Sequence, residues 1–142
     1  MKIENILATK GMQVHTILPD RTIKEAARLL LQYNIGALVV VDDTGRPVGI
    51  LSERDIVHAA ARTDAILAWK VSAVMTQNII TGTPHDDIRS VERTMTDKHI
   101  RHIPVLDQGQ LVGIVSIGDV VKAQLEQYAG EVDTLQTQIT QG

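Results

Sequence analysis

The chain has 142 residues, 14 basic and 17 acidic for a formal net charge of −3, with no cysteine and no phenylalanine. The lack of cysteine excludes a disulfide framework and thiolate chemistry, and balanced charge with almost no aromatics removes both the phosphate-tracking surface and the stacking platform of a nucleic-acid binder. The longest unbroken apolar run, Ala37 to Val41, falls far short of the about 18 residues that cross a bilayer, and Met1-Lys2-Ile3-Glu4-Asn5 lacks the apolar stretch of a signal peptide, so a soluble intracellular (cytoplasmic) protein with no membrane partner is expected.

In chain order, Ile3, Ile6 and Leu7 form an apolar lead-in, followed by an extended piece from Met12 to Leu18 that Pro19 stops. Thr22-Ile23-Lys24-Glu25 has the form of a capping box, in which the Thr hydroxyl and the Glu carboxylate satisfy main-chain donors left free by the first helical turn. Ile23, Ala26, Ala27 and Leu30 then line one face of a helix that ends at Asn34. Ala37 to Val41 and Val48 to Leu51, joined by Asp42-Asp43-Thr44-Gly45-Arg46-Pro47, read as a β-hairpin. Ser52 starts a second helix, expected to carry Ile56 and Val57 inward. Trp69, between the halves, is expected to anchor packing.

The same order then returns. Val71, Val74 and Met75 correspond to Ile3, Ile6 and Leu7, and Asn78 to Thr83, stopped by Pro84, is the second extended piece. Asp87 is positioned to cap a helix whose face is Ile88, Val91 and Met95 and which ends at His99. Ile103 to Leu106 and Leu111 to Val115 form the second hairpin, and Ser116 starts the last helix, with Val120 and Val121 inward. The self-similarity is strongest where Val48-Gly49-Ile50-Leu51-Ser52-Glu53-Arg54-Asp55-Ile56-Val57 recurs as Val112-Gly113-Ile114-Val115-Ser116-Ile117-Gly118-Asp119-Val120-Val121. Pro19, Ile23, Leu30 and Ile35 likewise match Pro84, Ile88, Met95 and Ile100, about 65 residues on. The copies differ in the hairpin turn, shortened to Asp107-Gln108-Gly109, and in three extra residues around Lys10-Gly11-Met12. Units this small bury too little surface alone, so the halves are expected to interlock over a shared sheet and core.

With its duplicated Gly-x-x-Ser-x-x-Asp, the phrase Ile100-Arg101-His102-Ile103-Pro104-Val105 and the lead-in Val71-Ser72-Ala73-Val74-Met75-Thr76, the chain resembles a tandem cystathionine β-synthase (CBS) domain pair, or Bateman module, over almost all of Ile3 to Gln124. The resemblance implies a mixed α/β (α+β) fold. Two repeats, residues 1–69 and 70–124, would pack about a pseudo-two-fold axis, each a small mixed sheet with two helices, followed by a helix or tail over 125–142.

Ser-x-x-Asp ahead of an apolar helix also fits a plain cap, and on local grounds alone that reading is preferred. The repeat and the resemblance reverse the preference. Free N–H groups at a helix start suit a phosphate, a Ser hydroxyl adds a hydrogen bond, and a carboxylate one turn along accepts from ribose hydroxyls. The resemblance implies an adenosine ligand such as AMP, ADP, ATP, NAD or S-adenosylmethionine. Carried over residue by residue, the first site would use Asp55 for the ribose, Ser52 and Arg54 on the phosphate side, Ala37, Leu38 and Val39 along the base, and Thr16 near its edge. The second would use Asp119, Ser116, His102, Ile103 and Pro104, with Thr81 or Thr83. Gly118 stands there in place of Arg54, leaving charge to Arg101 or His102, so unequal affinities are expected.

No catalytic set or metal site assembles: His15, His58 and His85 are scattered, and no carboxylate or thiol completes a ligand set with His99 and His102. Val121, Leu125, Tyr128, Val132, Leu135 and Ile139 fall at alternating spacings of four and three, a coiled-coil seam with Gly130 inside it. That helix either lies on its own body or pairs two subunits. Because CBS pairs commonly dimerise into flat discs, a homodimer is expected. The expected function is a non-enzymatic sensor: an adenine nucleotide between the repeats shifts their angle or dimer packing, and an unidentified partner protein in trans reads the shift. The alternatives are a structural module with vestigial sites and an enzyme acting on a nucleotide.

Overall fold

The computed structural model describes the backbone of residues 1–141, with side chains through Gln136. The first half contains α1 (Ile3–Lys10), β1 (Thr16–Ile17), α2 (Ile23–Tyr33), β2 (Ala37–Val41), β3 (Pro47–Ser52) and α3 (Glu53–Ala60). A 3-10 turn (Ile66–Ala68) leads to α4 (Val71–Val74), α5 (Ile88–Lys98), β4 (His102–Asp107), β5 (Gln110–Ser116) and α6 (Ile117–Gln141). β2 is central in a three-stranded sheet, parallel to β1 and antiparallel to β3, while β4 and β5 form a separate antiparallel pair. Among the described residues no helix is long and apolar enough to cross a membrane.

Both hairpins form where the apolar runs lie. The second closes through Gln108 and Gly109, at φ of 50° and 79°, the left-handed pair that a two-residue turn requires. The extended pieces are shorter than the sequence suggests. Met12 to Leu18 pairs only at Thr16–Ile17, and Asn78 to Thr83 forms no strand, only a parallel bridge from Gly82 to Val105. Just beyond Gly82 the Asp86 carboxylate accepts from the Thr83 amide at 2.9 Å and the Thr83 hydroxyl at 3.1 Å, which turns the chain away from the strand.

Both helices of the α2/α5 pair end in left-handed residues, Asn34 (φ 51°) and His99 (φ 55°). Their starts differ from expectation. Thr22 Oγ1 accepts from the Glu25 amide at 3.2 Å, but the Glu25 carboxylate faces the Thr22 hydroxyl and the Arg21 guanidinium, so half of the capping box forms. Asp87 makes no side-chain cap: the chain's own amino-terminal backbone does that work, with the Ile88 amide donating to the Met1 carbonyl at 3.0 Å and Lys2 bridging Asp87. On α3 and α6, Val120 is buried and Ile56 partly so, whereas Val57 and Val121 are 66% and 44% exposed. Neighbouring helical residues point in different directions, so the expected inward pairs do not form. Trp69 is 40% exposed, and Ile66 anchors the linker instead.

The halves interlock by exchange rather than over one sheet. Ile3, Ile6 and Leu7 of α1 pack with Ile88, Val91, Met95, Ile103, Val105, Val115 and Val120 of the second repeat. Val71 of α4, flanked by Val74 and Met75, packs with Ile17, Ile23, Leu30, Leu38, Val40 and Leu51 of the first. The described residues form two cores, each completed by the other repeat's lead-in helix. The motif glycines are the landing points. A Cβ on Gly49 would stand 2.7 Å from Met75 Sδ and 3.0 Å from the Thr76 carbonyl oxygen, and one on Gly113 would stand 2.7 Å from Leu7 Cδ2. Overpacking of this kind costs about 1–3 kcal/mol. Gly49→Ala is expected to cost more than Gly113→Ala, because the Thr76 carbonyl is held by the Ile50 amide at 3.0 Å while the end of Leu7 can turn aside. Thermal melts of the two variants check the order.

α6 runs 25 residues and passes Gly130 unbroken. Ala123 is its last buried side chain, and every described residue from Tyr128 onward is exposed, including Val132 and Leu135 of the seam; the Ile139 side chain lies outside the described residues.

Candidate functional site

The Ser-x-x-Asp motif forms a full reciprocal cap in both copies. The Asp55 amide donates to Ser52 Oγ at 3.1 Å, and the Ser52 amide donates to Asp55 Oδ2 at 2.9 Å. The Glu53 amide donates to the Gly36 carbonyl at 2.9 Å, so of the first three amides of α3 only that of Arg54 has no acceptor among the described residues. Capping also leaves Asp55 Oδ1 with just the Thr76 hydroxyl, at 3.4 Å. The cap and the ligand readings therefore do not compete for the same atoms: capping consumes one carboxylate oxygen and orients the other.

That corner opens into a cleft of about 660 Å³ between the repeats. From the first repeat come Ile50, Ser52, Glu53, Arg54, Asp55, Val57 and His58; from the second, Thr76, His99, Ile100, Arg101 and His102. Its size suits a small organic ligand. The lining combines two arginines and two carboxylates with apolar Ile50, Val57 and Ile100, so it offers groups for an anion and for a planar apolar group.

The sequence-based grouping of residues changes here. Arg101 and His102, assigned to the second site, line the cleft of the first. Ala37, Leu38 and Val39 are buried in β2, and Thr16, exposed on β1 opposite Val39, does not line the cleft. Ile103 and Pro104 are buried in β4 and line no part of the cleft, and the Pro104 carbonyl accepts from the Gly82 amide at 2.9 Å. Thr81 and Thr83 are exposed on the loop before α5, and Thr83 is tied to Asp86. Glu53, His58, Thr76, His99 and Ile100 were not singled out for this site by sequence. Thr76 closes the lead-in phrase and Glu53 sits inside the motif, so position relative to the repeat was the available signal.

His102 stands between the two motif copies. It pairs with Ser116 across the hairpin, and its Nε2 lies 3.1 Å from where a Gly36 Cβ would be, a point also 3.5 Å from Glu53 Oε1. Gly36 is thus a close-approach glycine. Burial pushes the His102 pKa down and Lys10 and Arg101 add to that, against the opposing pull of Glu53 and Asp119. The balance favours the uncharged ring, a hydrogen-bonding group.

The second motif copies the cap: the Ser116 amide donates to Asp119 Oδ2 at 2.8 Å, and the Asp119 amide to Ser116 Oγ at 3.1 Å. The Ile117 amide donates to the Arg101 carbonyl at 2.8 Å, matching Glu53 and Gly36, which leaves the Gly118 amide in the position of Arg54's. One feature has no counterpart. Lys10 Nζ donates to Asp119 Oδ2 at 2.6 Å and to the Ile114 carbonyl at 2.8 Å. Lys10 ends α1, which has eight residues where α4 has four; of Lys10-Gly11-Met12 only Lys10 is helical, and the longer helix carries it to the second repeat's carboxylate. Burial raises the Asp119 pKa, but bonds from Lys10 and the Ser116 amide, with the Lys10 charge, outweigh it and hold the carboxyl below its ordinary 3.8. An open cleft of about 500 Å³ runs along α1 and α6 here, past Lys10, Asp119 and Lys122.

A family model described as CBS domain matches residues 3–62 and 71–126, one match on each repeat. The chain belongs to the CBS domain family. As a CBS-domain pair it is 35% identical over 123 residues to the CBS domain-containing protein YhcV of Bacillus subtilis (strain 168), covering 87% of each chain. The crystal structure of the CBS-domain containing protein ATU1752 from Agrobacterium tumefaciens matches with a TM-score of 0.85 at 42% identity, over 87% of this chain and 92% of that one. The CBS domain pair of protein MJ0100, solved in complex with 5′-methylthioadenosine and S-adenosyl-L-methionine, matches with a TM-score of 0.76 at 28% identity, over 89% of this chain and 98% of that one. The mixed α+β architecture is thus that of a CBS-domain pair.

Proposed function

We propose that this CBS-domain pair is a non-enzymatic sensor of adenine nucleotides, binding AMP, ADP, ATP or NAD in the cleft between its repeats and controlling a partner protein in trans. The observation that carries the reading is the cleft corner itself: the cap leaves open Asp55 Oδ1 and the Arg54 amide, in residues that share the lining of one cleft with Arg101 and His102 of the other repeat. A ribose hydroxyl donates to the carboxylate, and a phosphate accepts from the helix-start amide and the arginines. The adenosine compounds on the MJ0100 pair support the same ligand class. A ligand there touches the start of α3 and the start of β4 at once, so it favours one angle between repeats and has the differential interaction that a switch needs. The exposed stripe Val121, Leu125, Tyr128, Val132 and Leu135 supports a homodimer paired through α6.

Thermal melts with AMP, ADP, ATP, NAD and S-adenosylmethionine test the reading. A ligand at about 100 times its Kd adds about 2.7 kcal/mol of stability. Folded protein that shifts with none of them removes the sensor. Appearance of product in the same mixtures would make it an enzyme, and a monomer mass by sedimentation would remove the dimer.

A further inference from the structure

We infer that Lys10 makes the second cleft selective for phosphorylated adenosine compounds over uncharged ones, acting as an internal cation that a ligand must draw off Asp119 and then re-pair. The inference rests on the nucleotide reading above and adds a ligand class for one of the two clefts.

The two motif copies differ in what a ribose would have to displace. At the first, Asp55 Oδ2 takes one amide and Oδ1 meets a neutral Thr76 hydroxyl at 3.4 Å, a contact that a rotating hydroxyl gives up readily. At the second, Asp119 Oδ2 already accepts from the Ser116 amide and from the Lys10 ammonium, the latter at 2.6 Å. Asp119 Oδ1 has no hydrogen bond among the described residues, so it is a sugar diol claiming both oxygens of this carboxylate, rather than a single hydroxyl, that competes with a charge-assisted bond, roughly twice as strong as a neutral one. The Lys10 and Asp119 side chains are 33% and 23% exposed, which shelters the pair from full solvent screening yet leaves the ammonium a path outward.

What happens to the displaced ammonium decides which ligands bind. Arg54 gives the first motif a cation of its own; Gly118 gives the second only its amide. Lys10 therefore supplies the charge that the second motif lacks, on a flexible four-carbon stem that can swing from carboxylate to phosphate. A nucleoside leaves the ammonium unpaired, and a nucleotide brings an acceptor for it. The net effect is discrimination by charge at a site whose backbone frame copies one that needs no such device.

The test uses the full chain carrying Asp55→Ala, so that the second cleft is read alone, with AMP and adenosine as probes in titration calorimetry. AMP is expected to bind at least about tenfold more tightly than adenosine. Lys10→Met should bring that ratio close to one by raising adenosine affinity and lowering that of AMP, and Lys10→Arg should keep it. A ratio that Lys10→Met does not change overturns the inference, as does AMP binding to the wild type that vanishes in Asp55→Ala. Wild-type protein that binds no adenosine compound at either cleft overturns the nucleotide reading itself. As a readout independent of any Lys10 replacement, reductive methylation with a carbon-13 label gives Lys10 a methyl resonance that should move with AMP at concentrations where adenosine leaves it in place; equal movement with both at the same concentration overturns the inference.

Discussion

Asp55→Ala is expected to weaken AMP binding at the first cleft by at least about tenfold, because a hydrogen bond to a charged group contributes about 1.5–3 kcal/mol. The same substitution removes the acceptor of the Ser52 amide, so ligand-free stability should also fall, by the about 0.5–2 kcal/mol typical of a lost cap. One residue thus has two measurable roles. Asp55→Asn separates them, since its amide oxygen can still accept from Ser52 while its charge and second acceptor are gone. It should melt close to the wild type without ligand and bind AMP nearly as poorly as the alanine variant. If Asp55→Asn binds AMP like the wild type, the carboxylate is a cap alone and the ribose role is lost.

The elements with strong local signals were legible in the sequence. Both hairpins follow from apolar runs rich in β-branched residues around a glycine turn, and Asn34 and His99 end their helices at positions where the apolar period stops. What could not be read is which surface buries an apolar residue. The pattern marks Ile3, Ile6 and Leu7 as buried, yet nothing in their spacing says that the second repeat buries them, so exchange had to come from three dimensions. The site suffers from the same gap. Grouping His102 with Ser116 is correct for strand register, but the open space beside Arg101 and His102 belongs to Ser52 and Asp55 of the other repeat. Lys10 was visible only as part of an insertion, since a lone lysine has no sequence-level partner 109 residues away. Asp87 failed as a cap for a similar reason: main chain from the far end of the sequence reached the helix start first.

Ile3→Ala should be the most damaging single truncation, costing about 2–5 kcal/mol, a large part of the about 5–15 kcal/mol that holds a domain of this size together. Ile3 is fully buried against Ile88, Ile103 and Val105, and it lies in the segment that hands α1 across to the second repeat. The damage should therefore appear at a distance in sequence. In native-state hydrogen exchange, the amides of β4 and β5 should lose protection before those of β2 and β3. Val71→Ala should do the opposite, loosening β2 and β3 first, because α4 completes the first core. Greater loss at β2 and β3 in Ile3→Ala would contradict the exchange. The crossed pattern bears on the proposed switch as well. Gly49 of β3 rests on Met75 and Gly113 of β5 rests on Leu7, so each motif strand touches a helix that belongs in sequence to the other repeat. On the proposed reading, a ligand that shifts the end of β3 at Ser52 would push on the segment entering the second repeat, and a change of angle at one cleft would reach the other through packed side chains.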